Sequence, residues 1–499
     1  HIVEGGWPFS NPKDEEYFRR VRSLNLKHTR IAAFGSTRRA NVRVTDDQQV
    51  KALIDTGAPI VTVVGKSWEL HVTDILETTL EENLSMIADT VAHLLAAGRE
   101  VHYDAEHFFD GFDANEEYAL QSLQSAAEAG AAVIHLCDTN GGVLPNRLAE
   151  VIDRVRAVVA TPLGIHVHND SDLAVANSLM AIEHGVVQVQ GTINGYGERC
   201  GNANLCSIIA GLQAKMGIKV VTDEQLARLT TVSANIAELV NMSPNASQPY
   251  VGTRAFTHKG GLHAAAVAKV ERSYEHMEPS VVGNGRRVLV SELSGRSNVI
   301  AASRDAGLDM PPEVARQILE QVKNAEASGF QYESAEASFE MLVRRSIPGY
   351  VPAFELEDFM VIVENLRRAP PPQLETDGQN DDDLLSEAMV KVRVGEARYH
   401  TAAGGNGPVN ALDAALRKAL HEHYTDIDVV RLTDYKVRIL NEEGATGAAV
   451  LVLIESTDGD NVWRTVGSST NIIFASWLAL TDALEYWLHK WGPLANESS

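Results

Sequence analysis

Two histidines on one predicted strand are the residues in this sequence best placed to do chemistry. His166 and His168 lie in the run Gly-Ile-His-Val-His-Asn-Asp at 164–170. Residues two apart on a strand face the same way, with Cα atoms roughly 6.5–7 Å apart, so both imidazoles can point at one metal ion. A lone His-x-His is more often one core and one surface histidine. Here Asn169 and Asp170 follow at the strand end, where active sites of α/β barrels collect, and we therefore predict a catalytic metal site.

Composition and charge narrow the class of protein. The 499-residue chain carries 43 Lys and Arg against 67 Asp and Glu, a formal net charge of −24, which argues against nucleic acid or an anionic membrane as partner. An anionic substrate would need a local cationic pocket or a metal. Three cysteines provide no disulfide framework, and no apolar run reaches the roughly 20 residues of a membrane span. We expect a cytoplasmic protein.

Short β-branched runs alternate with amphipathic helical patterns as far as about residue 215. The predicted strands cover 1–5, 30–35, 60–65, 100–105, 132–138, 163–168 and 186–191. Strict alternation of strand and helix predicts an α/β fold with right-handed βαβ units and a parallel sheet. Seven strands are one fewer than a (β/α)8 TIM barrel needs. We expect such a barrel, with its first strand missing together with the N-terminus.

An open doubly wound sheet is the other fold that βαβ units build. No Gly-x-Gly-x-x-Gly opens a helix after any predicted strand, so a dinucleotide-binding sheet has no support. Polar residues instead end many different strands, which is typical of a barrel whose strand ends share one face. They lie at Glu4, 36–39, 104–106, 138–140, 166–170 and 194–199.

Three further regions follow the predicted barrel domain, 1–215. Residues 216–368 are mostly helical in pattern and are expected to complete the active site. The proline-rich and acidic stretch 369–385 predicts a linker. Residues 386–499 combine strand-like runs with two helical patterns, which predicts a small α+β domain for regulation or dimerisation. Its Gly-rich run 404–407 favours a turn over an anion site.

Several long motifs, in order along the chain, resemble one enzyme family. They are Glu-Gly-Gly-Trp-Pro at 4–8, Ser-Asn-Pro-Lys-Asp at 10–14, Asp-Ala-Glu-His-Phe-Phe-Asp-Gly at 104–111, Asp-Thr-Asn-Gly-Gly at 138–142, and residues 164–170 and 191–205. Together they resemble the citramalate synthases, which stand with 2-isopropylmalate and homocitrate synthases among metal-dependent barrels that act on acyl-CoA and 2-oxo acids. The C-terminal run 406–411 resembles the effector-binding, dimer-forming domain of the same family.

The resemblance implies condensation of acetyl-CoA with pyruvate to (R)-citramalate and CoA, the first step of a route to isoleucine. A divalent metal (Mn, Mg, Zn or Co) would act as Lewis acid on the pyruvate keto oxygen. By resemblance the ligands are His166 and His168, with Asn202 as a weaker third. Thr139 would hydrogen-bond the pyruvate carboxylate, although a structural role in a turn is an equally good interpretation.

On the acetyl-CoA side the resemblance implies Glu106, His263 and Tyr274. Glu106 ends a predicted strand, where burial can tune a carboxylate to act as general base; without the family it would be an ordinary loop glutamate. His263 and Tyr274 would enter from the helical region. Six cations are candidates for the CoA phosphates, although each alone is more typical of a surface charge: Arg38, Arg39, Lys259, Arg286, Arg287 and Arg296.

The sequence departs from the family at its start. The family carries an Arg-Asp pair just after its first strand, in which the aspartate ligates the metal and the arginine stabilises the developing oxyanion. Nothing before His1 supplies this pair, and Arg304-Asp305 lacks the strand context. Because loss of an oxyanion-side cation alone costs about 10²–10³ in rate, we expect a truncated and weakly active chain.

Two other interpretations stay open. A 2-isopropylmalate or homocitrate synthase would take a bulkier 2-oxo acid, against which Trp7 and the pair Phe108 and Phe109 favour a small pocket and pyruvate. An inactive remnant would retain only effector binding and dimerisation in 386–499. A homodimer is the expected assembly, and isoleucine is the feedback inhibitor expected by pathway analogy.

Overall fold

The computed structural model describes residues 1–258, 266–267, 269–288, 299–300, 303–304, 308, 310–327, 332, 335–365, 384–440 and 447–496. Its contacts divide the chain into two units. Unit 1 comprises His1–Phe256 and Met277–Gly285, and unit 2 comprises Thr257–His276 and Arg286–Ser499. Within the described residues, no helix combines the length and apolar composition that a membrane span requires.

Unit 1 is built on a parallel sheet whose seven strands lie in the order of the sequence. The strands are β1 Ile2–Glu4, β2 Arg30–Ser36, β3 Ile60–Lys66, β4 Glu100–Glu106, β5 Val133–Asp138, β6 Leu163–Val167 and β7 Gln188–Gln190. A doubly wound sheet reverses its strand order at a switch point, whereas this sheet does not. The predicted barrel order is therefore confirmed, and all seven predicted strands are present with ends shifted by at most two residues.

Seven α-helices connect these strands and three follow the last strand; apolar side chains of the connecting helices pack against the sheet. The helices are α1 Pro12–Val21, α2 Gln48–Asp55, α3 Leu80–Ala96, α4 Phe108–Ala114, α5 Glu116–Glu128, α6 Pro145–Arg156, α7 Ala174–Glu183, α8 Leu205–Ala214, α9 Asp223–Leu226 and α10 Leu229–Leu239. Several begin at a side-chain cap, such as Asn11 on α1 and Thr79 on α3.

The main core of unit 1 joins strand residues such as Val61 and Val63 to helix residues such as Leu94. Phe108 and Phe109 belong to this same core and are almost completely buried, at 0% and 2% exposure. The pair therefore gives no argument for a small substrate pocket.

Unit 2 contains a two-stranded pair, β8 Thr257–His258 with β9 Arg287–Val288, and the helices α11 Pro312–Ala327 and α12 Glu336–Ser346. Two antiparallel sheets follow. The first has β10 Glu355–Asn365, β11 Leu384–Val394 and β12 Ala397–Gly405, and is followed by α13 Pro408–Leu420; the second has β13 Arg431–Ile439, β14 Val450–Thr457 and β15 Val462–Ser469, and is followed by α14 Ile472–Lys490. The same three-strand and one-helix arrangement thus occurs twice.

Sequence patterns missed four of these strands. Strands β8, β9 and β10 lie in the region predicted to be mostly helical. Strand β12 contains few β-branched residues, and its last residues, Gly404 and Gly405, were expected in a turn but pair with Glu387 and Ser386 of β11. The predicted linker 369–385 lies outside the described residues up to 383, and the division into four regions stays a prediction.

Candidate active site at the strand ends

The two histidines lie side by side where β6 ends. His166 is the penultimate residue of β6 and His168 follows the strand, with ring centroids 5.1 Å apart. A backbone bridge pairs His168 with Asn202, so the loop after β7 brings the third predicted ligand next to the histidines. The structure therefore brings together all three predicted metal ligands.

The donor atoms of His166 and Asn202 suit a divalent metal. His166 Nδ1 lies 2.8 Å from Gln190 Oε1, an atom that can only accept, so this nitrogen carries the ring proton and Nε2 has a free lone pair. Asn202 Nδ2 donates to the carbonyl oxygen of Tyr196 at 3.3 Å, which leaves Oδ1 for a cation. Two imidazoles and an amide oxygen form a set that binds Zn, Mn or Co.

His168 is held differently, because a cation covers one of its nitrogens. Arg199 Nη2 lies 3.0 Å from His168 Nδ1 and also donates to Asp170 and to the Thr139 carbonyl oxygen. Burial, with the nearby charges of His166 and Arg199, lowers the pKa of His168. A guanidinium only donates, so Nδ1 of His168 accepts here. If Nε2 bound a metal, the ring proton would be on Nδ1, and two donors would then face each other. Metal binding by His168 therefore requires Arg199 to move.

Glu106 and Thr139 occupy the ends of neighbouring strands. Glu106 is the last residue of β4, is about one-quarter exposed and pairs with Lys66 Nζ at the end of β3. Thr139 follows β5, and its Oγ1 accepts from the backbone N–H of His107 at 2.8 Å, which leaves the hydroxyl proton free to be donated. The carboxylate predicted to be the base and the hydroxyl predicted to bind the pyruvate carboxylate thus lie at the same edge of the sheet as the histidines.

Two further carboxylates lie at these strand ends. Glu4 ends β1 and remains accessible to solvent, yet desolvation by the surrounding protein, followed by the charge of Asp104, raises its pKa to about 8. Asp104, on β4, is only 5% exposed. Sequence analysis placed both among the polar strand ends but assigned neither a role.

The other two predicted site residues are not part of unit 1 as the structure describes it. Tyr274 belongs to unit 2 and is half exposed, and His263 lies outside the described residues. Across the described part of the chain, no group of three or more His, Cys, Asp and Glu side chains could hold a metal ion. The predicted site therefore relies on the Asn202 amide.

Three of the six candidate CoA cations have side chains that the structure describes, and all three form ion pairs with carboxylates. Arg38 is buried and pairs with Glu82 and Asp89, so it is a structural residue and not a phosphate ligand. Arg39 pairs with Asp47, and Arg286 donates to Glu275. Lys259, Arg296 and the side chain of Arg287 lie outside the described residues.

Comparison with known proteins assigns these features to one class. Residues 1–236 match the HMGL-like family, residues 250–329 the homocitrate synthase post-HMGL domain-like family, and residues 333–488 the LeuA allosteric (dimerisation) domain. The fold is that of an HMGL-like barrel followed by a post-HMGL region and a LeuA-type domain.

Individual relatives match nearly the whole length of the chain. The (R)-citramalate synthase of Geobacter sulfurreducens is 50% identical, and that of Aquifex aeolicus 48%; each match covers 98% of this chain and 91% of the relative. A 2-isopropylmalate synthase of Methanocaldococcus jannaschii is 26% identical over 98% of this chain and 88% of its own length. The chain belongs to the (R)-citramalate synthase family.

Proposed function

We propose that this chain catalyses the condensation of acetyl-CoA with pyruvate, giving (R)-citramalate and CoA, as an acyltransferase of isoleucine biosynthesis. The observation that carries the proposal is the gap in similarity: (R)-citramalate synthases match at up to 50% identity over nearly the whole chain, against 26% for the 2-isopropylmalate synthase. The strand-end site supports it with the donor set and the base that this chemistry needs. A cytoplasmic location is part of the same proposal.

The first half of the proposed reaction forms a carbon–carbon bond. Glu106 takes a proton from the acetyl methyl group, and its contact with Lys66 orients the carboxylate. The resulting carbanion attacks the keto carbon of pyruvate, whose oxygen becomes the hydroxyl of the product. The Thr139 hydroxyl, whose oxygen already accepts from His107 N, donates to the pyruvate carboxylate. A divalent metal held by His166, His168 and Asn202 would supply Lewis-acid polarisation of the keto group.

The second half releases CoA. Water attacks the thioester carbonyl, the C–S bond breaks, and the CoA thiol takes up a proton. We assign His263 and Tyr274 to the acetyl-CoA side on the family resemblance alone. The match of residues 333–488 to the LeuA allosteric (dimerisation) domain supports two further parts of the proposal, a homodimer and allosteric control. Isoleucine as the feedback inhibitor is proposed by pathway analogy.

The test is thiol release from acetyl-CoA with Mn²⁺ or Mg²⁺ and one 2-oxo acid at a time. The assay is run on this chain. We expect pyruvate to be preferred over 2-oxoisovalerate and 2-oxoglutarate.

The matched control replaces a histidine away from the site. His28→Ala changes an exposed residue and should leave the rate unchanged, whereas His166→Ala should abolish turnover. A clear preference for 2-oxoisovalerate, or no turnover of any 2-oxo acid by the folded and metal-loaded protein, would overturn the citramalate assignment.

A further inference from the structure

We propose that Gln190 is a positioning residue for the metal site and that, together with Asp104, it fixes which nitrogen of His166 is available to a metal. The inference rests on the proposed metal role of His166 and adds two residues for which sequence analysis had assigned no function. Its basis is a chain of hydrogen bonds across three strands of unit 1.

The chain begins at Asp104 and ends at His166. Gln190 Nε2, on β7, donates to Asp104 Oδ1, on β4, at 3.0 Å. The oxygen of the same amide, Oε1, lies 2.8 Å from His166 Nδ1, on β6. Asp104 is 5% exposed and is further enclosed by His135 on β5, which is fully buried with Nδ1 2.8 Å from Asp104 Oδ1.

The direction of these hydrogen bonds follows from the chemistry of the groups. An ionised carboxylate only accepts, so the NH2 group of Gln190 must face Asp104 and its oxygen must face His166. That oxygen also only accepts, so the ring proton of His166 is on Nδ1 and Nε2 has a bare lone pair. Outer partners of this kind fix the tautomer and ring orientation of metal-binding histidines.

The neighbouring histidine shows why such a partner matters. His168 Nδ1 faces the donor Arg199 at 3.0 Å, the opposite polarity from the acceptor that faces His166. The tautomer of His166 is therefore already the one that binds a metal through Nε2, whereas His168 can bind only after Arg199 moves. Loss of the Gln190 acceptor would leave neither histidine held in the tautomer that metal binding needs.

The experiment measures Mn²⁺ binding to the full chain by electron paramagnetic resonance, which detects free Mn²⁺ and requires no turnover. Gln190→Met keeps the length of the side chain but neither donates nor accepts, and should raise the Mn²⁺ dissociation constant about 10–100-fold. An asparagine at position 104 can donate or accept, so in Asp104→Asn the Gln190 amide is free to rotate by 180° and present its NH2 group to His166. This variant should raise the dissociation constant several-fold.

The decisive variant exchanges the two groups. In the double variant Asp104→Asn/Gln190→Glu, the new amide can donate to the new carboxylate, whose second oxygen still accepts from His166 Nδ1. The affinity should return to within about threefold of the parent value, closer than either single variant. A purely structural role for Gln190 would make the two substitutions additive and would give no recovery.

Each other outcome overturns the proposal in an identifiable way. If His166→Ala abolishes Mn²⁺ binding while Gln190→Met binds as tightly as the parent, the positioning role is wrong and the metal site stands. If His166→Ala also retains Mn²⁺, the metal site itself is wrong and the role of Gln190 falls with it. If both single variants weaken binding and the folded double variant shows no recovery, the direction of the hydrogen bonds is not what matters.

Discussion

The polar network at the strand ends of unit 1 and the polar network between α12 and α14 of unit 2 are built on opposite plans. In unit 2, Arg345 contacts Asp482 at 2.7 Å and Glu485 at 2.5 Å. Asp482 also accepts from Ser338 Oγ at 2.6 Å, and Glu485 accepts from Tyr350 OH at 2.6 Å. Each carboxylate there has both a cation and a hydroxyl as partners.

The network of unit 1 ends at a free atom. The chain from Asp104 through Gln190 stops at His166 Nε2, which the inferred tautomer leaves as an acceptor. A closed network is expected to stabilise the fold and specify its packing, and an open one to present a group to a ligand. Changes in the first should therefore alter the stability of the protein, and changes in the second should alter binding and rate.

The largest effect expected is on rate, from Glu106→Gln. Removal of a general base lowers the rate of thiol release by about 10²–10⁴-fold, while the melting temperature should stay within about 2 °C. The matched control is Glu117→Gln, an exposed residue in the first turn of α5. A melting temperature lowered by clearly more than this would contradict the division between the two networks.

The next largest effect is on stability, from Arg345→Met. Asp482 and Glu485 would lose their cation; a broken buried pair costs about 3–5 kcal/mol, and since Arg345 is 41% exposed we expect about 2–3 kcal/mol. The measurement is the free energy of unfolding in urea, with Mn²⁺ affinity expected to be unchanged.

A control for Arg345 is available in the same unit. Arg464 is 40% exposed and pairs with Glu455, which is itself 24% exposed, whereas Glu485 is 5% exposed. Arg464→Met should therefore cost no more than about 1 kcal/mol. Equal losses in the two variants would show that burial of the carboxylate does not matter here.

A smaller effect is expected at Asp47, which belongs to a closed network inside unit 1. Asp47 is fully buried, caps α2 and accepts from the backbone N–H groups of Gln49 and Arg39. Burial alone would raise the pKa of Asp47, but hydrogen bonds from Arg39, Val50 and Gln49 lower it overall. Asp47→Asn should cost about 1 kcal/mol at pH 7, the difference between charged and neutral hydrogen bonds.

The pH dependence at Asp47 follows from the direction of that shift. A lowered pKa in the folded state stabilises the fold above the unfolded pKa of about 3.9. This contribution is lost as the pH falls through the folded value, so the difference between Asp47→Asn and the parent should shrink in acid. Urea unfolding at pH 7 and at pH 3.5 measures it, and a difference independent of pH would contradict the assignment.

The smallest effect is expected at Glu4, because solvent reaches its carboxylate and weakens the influence of the surroundings that raise its pKa to about 8. Between the ordinary value near 4.5 and 8, the unfolded chain releases this proton and the folded protein keeps it, so stability falls as the pH rises through that range. Glu4→Gln removes the titration, and the variant should lose less stability than the parent between pH 5.5 and pH 8.5. Thermal melting at both pH values tests this. Equal losses of stability in the variant and the parent would mean that solvation keeps the pKa of Glu4 near its ordinary value.

Much of unit 1 could be predicted because its signals are local. Runs such as Ile60–Lys66 contain enough β-branched residues to identify a strand, and polar residues at the end of a strand mark the edge of the sheet where Glu106 and His168 lie. Motifs supplied the rest of the candidate site through family resemblance.

What could not be predicted depends on contacts between distant residues. Nothing local in the sequence distinguishes Gln190 from an ordinary strand glutamine, and its partner Asp104 is 86 residues away. The contact of Arg199 with His168 depends on the fold of the loop after β7. Strand β12 forms although its own residues favour strand weakly, because it pairs with β11 and Thr401 donates to the Ala415 carbonyl oxygen of α13.

The length of chain between Asp104 and Gln190 also fixes when the metal site can form during folding. Four strands, from β4 to β7, must find their places before this hydrogen bond can exist. Contacts between residues so far apart form late, because the entropy lost in closing the intervening loop precedes any gain. We therefore expect metal binding at the proposed site to follow the assembly of the sheet in a refolding chain.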